Sequence, residues 1–127
     1  MDSEAITLLG YADGLLSGRI EVSGDAARLA AFVARRGVEA LIDQYCEEQC
    51  GHLLDPHRPS PWNDARWASK LAILLSRDDD YGRALIYAWV ELSNLCHEHA
   101  YQLTPTIDEV RNLCLTVMTQ AAGRPVA

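Results

Sequence analysis

The sequence predicts an all-α protein, an antiparallel four-helix bundle with a short extra helix at its N-terminus. Three observations carry this. Apolar residues recur at spacings of three and four nearly throughout the chain, the period of a helix with one buried face. No stretch shows the strict alternation of a half-buried strand. The breaks between periodic segments hold the glycines, prolines and capping residues that stop and start helices. At 127 residues with 49% hydrophobic side chains, the chain suits one folded domain, with a core over about residues 25–121.

The first helix is expected over residues 3–17, with Ile6, Leu9, Leu15 and Leu16 inward and Gly10 and Gly14 weakening it. "SGRIEVSGD" breaks the pattern, and Ser23 or Asp25 supplies an N-cap. The second helix, about 25–49, places Leu29, Phe32, Val33, Val38, Leu41, Ile42 and Tyr45 on a broad apolar face. Arg35 and Arg36 lie one turn from Glu39, a favourable local pairing. Gly51 stops it, and "GHLLDPHRPSP" is the longest loop. Ser60 and Pro61 read as an N-cap and first turn of a third helix over 61–76, lined by Trp67, Leu71 and Leu74. Acidic residues 78–80 end that helix and suit the positive dipole at the start of the next.

The fourth helix, about 79–100, has the cleanest seam: Leu85, Trp89, Leu92, Cys96, His99 and Leu103. Pro105 disfavours helix at Thr104. "TIDE" at 106–109 is a capping box that opens the fifth helix, with Ile107, Val110, Leu113, Cys114, Val117 and Ala121 apolar.

Charge and composition narrow the function. Eighteen acids against eleven bases give a net charge of −7, which disfavours coating nucleic acid by charge alone, so RNA is a possible partner that net charge does not favour. No apolar run approaches the ~20 residues of a membrane span, so no membrane partner is expected. The acidic start "MDSEAITLLG" lacks the basic segment of a signal peptide, and the expected location is the cytoplasm. There the cysteines, Cys46, Cys50, Cys96 and Cys114, are expected as free thiols, with Cys96 and Cys114 buried as small apolar residues.

The densest chemistry lies in "ELSNLCHEHAYQLTP" at 91–105. His97 and His99 are two apart, so on a regular helix they diverge by about 200°. His99 falls on the apolar seam. His97 shares a face with Ile86, Val90, Ser93 and Tyr101 and is the better groove or interface candidate. Asn94, His97 and Tyr101 are the candidate catalytic residues, since a histidine titrating near neutrality can move protons. Candidate binding residues are His97, His99, Trp89, Arg66 and Lys70. The last two form, with Arg77 and loop residue Arg58, the one basic stripe of the chain. Cys46, Cys50, His52 and His57 supply zinc-type donors, but their spacing matches no structural zinc pattern. No metal or cofactor is expected from it. Paired Cys96 and a histidine could act as nucleophile and base, but a core seam position argues for an inert thiol.

The segments "ARLAAFVARRGVEALID" at 26–43 and "YAWVELSNLCHEHAYQLTPTIDEVR" at 87–111 resemble the HEPN superfamily, more narrowly an actinobacterial branch of it. The resemblance spans about residues 26–120. It implies a small bacterial helical bundle, a homodimer, and a place in defence or toxin–antitoxin systems beside a neighbour-encoded protein partner. Ribonuclease members of the superfamily carry an arginine, then four to six residues, then a histidine. Here no arginine precedes His97 or His99 at that spacing, and thirteen residues separate Arg83 from His97. The resemblance therefore implies a non-catalytic binding or regulatory module. A metal-independent ribonuclease with a degenerate site around Asn94, His97 and Tyr101, and a small-molecule or zinc-binding bundle, stand as the alternatives.

Overall fold

The computed structural model of the chain describes residues 3–50, 66–77, 79–96 and 106–123. These form five helices, α1 (Ser3–Ser17), α2 (Ala26–Cys50), α3 (Trp67–Arg77), α4 (Asp80–Cys96) and α5 (Ile107–Ala122), with no strand among the described residues. No helix is long and apolar enough to cross a membrane among them.

Capping decides where the helices begin. Asp25 Oδ1 accepts from the Arg28 amide at 3.1 Å, so Asp25 rather than Ser23 caps α2. Thr106 Oγ1 accepts from the Glu109 amide at 3.1 Å, the first half of the expected capping box. Before α4, Asp79 accepts from the Tyr81 amide at 2.9 Å and from the Tyr45 hydroxyl at 3.0 Å. One carboxylate thus satisfies an orphan helix donor and ties α4 to α2. The expected cap at Ser60 and Pro61 lies outside the described residues.

Helices α1 and α2 form a hairpin packed unusually closely. Gly18 turns the chain at φ +81°, a left-handed value that glycine adopts without strain, and the Ile20 amide returns to the Gly14 carbonyl at 3.0 Å. A Cβ on Gly14 would stand 2.6 Å from Ile20 Cδ1, and one on Gly37 would stand 3.0 Å from Leu9 Cγ. Alanines continue this closeness: Ala5 and Ala12 on α1, and Ala27, Ala30, Ala31 and Ala34 on α2, are buried.

That alanine face changes which large residues are inside. Ile6, Leu29 and Phe32, expected in the core, are exposed. Their places are taken by alanines about 100° away around each helix, where two backbones approach too closely for a longer side chain. Beyond Gly37 the expectation and the structure agree, with Val38, Leu41, Ile42 and Tyr45 buried.

Helix α4 runs antiparallel to α2: Glu39 meets Trp89, and Tyr45 packs edge-on to Tyr81 with ring centroids 5.9 Å apart. Leu85, Ala88, Leu92 and Cys96 bury the α4 seam, while Trp89 is half-buried at its edge. Val110, Leu113 and Val117 bring α5 into the same core. His99 and Leu103 lie outside the described residues.

Candidate functional site

A ladder of charge and aromatic rings runs along the seam where α2, α3 and α4 meet. Its centre is a stacked pair, Trp67 of α3 and Trp89 of α4, with ring centroids 5.2 Å apart and planes inclined by 25°. The Arg35 guanidinium lies over the Trp89 ring, 5.7 Å from its centroid, and Lys70 Nζ lies over the Trp67 ring, 4.1 Å from its centroid. Each cation faces the negative quadrupole of an indole.

Each cation is also matched to a carboxylate on α2. Glu39 stands 3.7 Å from Arg35 and 3.9 Å from Arg36, and accepts from Trp89 Nε1 at 3.2 Å. Asp43, one turn on, stands 2.6 Å from Lys70 Nζ. The spacing explains the ladder: Arg35, Glu39 and Asp43 recur every fourth residue and project from one side of α2.

Lys70 is the main surprise. The basic stripe expected on α3 does not form, because Lys70 turns inward and is only 2% exposed. A lysine tolerates this only with its charge paired and its methylenes packed. Asp43 and Trp67 meet both needs. Arg66 and Arg77, at either end of α3, are exposed, and Arg58 lies outside the described residues. A cleft of about 370 Å³ opens over the ladder, lined by Glu4, Arg36, Glu39, Asp43, Trp67 and Lys70.

At the α4 end of the seam, Cys96 sits near Arg28 and Arg35. Burial raises the pKa of its thiol, outweighing the pull of the two arginines, and Glu39 adds to the rise. Such a thiol is protonated at neutral pH and is a poor nucleophile. Cys114, on α5, is pushed up to about 11 by burial and by Asp13. Cys46 is fully buried in the core beneath Lys70, whose carbonyl lies 4.0 Å from its sulfur. The first member of the zinc-type string therefore sits in the core. The Cys50 side chain, His52 and His57 lie outside the described residues.

Of the other candidates, Trp89 belongs to the ladder. Asn94 is exposed on α4, about 140° around the helix from Trp89, and so does not face the ladder. His97, His99 and Tyr101 lie outside the described residues. Among the described residues no three His, Cys, Asp or Glu side chains gather as a metal site. The chain matches no family model, no curated protein and no solved structure.

The residues that sequence reading passed over are Glu39 and Asp43 as partners of α3 and α4. The i,i+4 pairing of Arg35 with Glu39 was legible. The step across to Trp89 was not, because nothing in linear spacing shows which face of α2 meets α4. Arg35, Arg36 and Lys70 stand against Glu39 and Asp43, and the contacts across to Trp67 and Trp89 clamp three helices together.

Proposed function

We propose that this chain is a HEPN-like binding module, a four-helix bundle of α2–α5 with α1 added, which works by protein association in a bacterial defence or toxin–antitoxin setting and does not cleave RNA. The observation that carries this reading is the exposure of Leu29 and Phe32 side by side on α2, a helix whose buried face is already complete in alanine, valine and leucine. Two large apolar side chains set side by side outside a filled core suit a surface that another protein covers. Two further features agree. The cations nearest the seam are committed to Glu39, Asp43 and the indoles. The described thiols that burial holds protonated, Cys96 and Cys114, are unsuited to nucleophilic attack.

The test is RNA cleavage by the purified chain in EDTA, wild type against His97→Ala. Intact RNA with both proteins is the expected result. Cleavage by the wild type that the variant loses would replace this reading with the metal-independent ribonuclease.

A further inference from the structure

Three buried polar atoms lie where the first half of α2 meets the last turns of α4. Arg28 Nη1, Arg35 Nε and Ser93 Oγ are closed off from solvent and form no hydrogen bond with the described residues. Buried polar atoms are nearly always partnered, so three in one region call for a cause. Their placement is not scattered. Arg28, Arg35 and Glu39 follow at spacings of seven and four on α2, and Trp89, Ser93 and Cys96 at four and three on α4, so each set lines one stripe of its helix. The stripes face each other: Trp89 Nε1 donates to Glu39 at 3.2 Å, and the Arg35 guanidinium lies over the Trp89 ring. Because the two helices are antiparallel, Ser93 and Cys96 continue from that contact toward Arg35 and Arg28. Cys96 accordingly feels the charge of both arginines.

We propose that Arg28, Arg35 and Ser93 together bind a small tetrahedral oxyanion of the phosphate type. All three orphaned atoms can donate, and two of them belong to cations. A tetrahedral oxyanion accepts from donors on both helices at once, through bonds that charge strengthens. A single water molecule cannot accept from all three. Asp25 and Glu39 balance the two guanidinium charges but stand 3.6 and 3.7 Å from the Nε atoms, beyond hydrogen-bond range. The arginines are thus neutralised in charge while their donors stay unmatched. Their side chains are 26% and 25% exposed, which shields the site from bulk water and leaves it open to a small ion. A nucleic-acid strand asks for a run of unopposed bases; this pair, with two carboxylates beside it, suits one phosphate group. The site goes beyond the proposed association role and does not depend on it.

The test is an NMR titration of the full chain with inorganic phosphate and, separately, with phenyl phosphate, at fixed ionic strength. The Arg35 Nε–H signal should shift, with a Kd of roughly 1 mM. The tighter of the two probes tells a free ion from a phosphate ester, and acetate should bind at least about 10-fold more weakly than either. Arg28→Gln and Ser93→Ala should each weaken phosphate binding by about 10-fold, while Arg66→Gln, exposed just before α3, should not; circular dichroism confirms that the variants stay helical. Melting temperatures give a second readout. Without phosphate, Ser93→Ala should melt no lower than the wild type, because it removes an orphaned hydroxyl. With about 10 mM phosphate it should gain less than the wild type gains. No response to either probe overturns the proposal, and so does binding that Arg66→Gln weakens as much as Arg28→Gln does. Either result leaves the RNA experiment free to decide the proposed function separately.

Discussion

Lys70 concentrates the residue-scale energetics. Its ammonium is removed from water and held by Asp43 and the Trp67 ring. Lys70→Ala should destabilise the fold by about 3 kcal/mol, since it strands Asp43 and empties the space of a long stem. Asp43 keeps some access to water, which places the cost at the low end for a broken buried pair. Lys70→Met, which keeps the stem, should lose less than half as much; urea midpoints of the two variants check this. Cys114 gives a pH prediction. Its pKa rises from 9.0 to about 11 on folding. The unfolded chain therefore releases this proton first, and the stability it contributes is whole below pH 9 and is lost as pH rises to about 11. Melting temperatures of Cys114→Ala should fall less steeply over that window than those of the wild type.

At the scale of the element, the hairpin of α1 and α2 is set by what is missing from its side chains. Gly37→Val would drive a branched side chain into Leu9, whose Cγ already lies 3.0 Å from the position of a Cβ, and should cost about 2 kcal/mol by overpacking. Thr106→Ala removes the cap of α5 and should cost about 1 kcal/mol; thermal unfolding measures both. Helix identity and most starts were legible in the sequence, because caps and period are local: Asp25, Thr106 and the seam of Leu85, Leu92 and Cys96 all fall where periodicity places them. Orientation at the N-terminal half of α2 was not. A hydrophobic count ranks Leu29 and Phe32 above Ala30 and Ala34, yet the small residues go inside because α1 comes so near. The same blindness hid Lys70, whose charge suggested a wet stripe until Asp43 and Trp67 came to it from two directions.

The whole molecule is organised around α2, which packs on α1, α3, α4 and α5. Helix α1 covers the alanine face of α2 and also reaches α5, where Arg111 donates to the Leu16 carbonyl at 3.5 Å and Asp13 acts on Cys114. A chain beginning at Ile20 would expose that face. It should lose cooperative unfolding, giving a broad thermal transition in place of a single sharp one. The candidate site was legible only in part for the same reason. Trp89 was marked from its place on the seam, but Glu39 and Asp43 gain their meaning from helices that a linear reading cannot set beside them.

One consequence of the buried ladder concerns labelling chemistry. Lys70 is the sole lysine of the chain, and folding hides it. Amine-directed reagents, acyl transferases and ubiquitin ligases that need a lysine find none on the native surface. The rate at which an amine-reactive ester modifies Lys70 therefore reports how often the protein opens, making this one side chain a built-in gauge of unfolding.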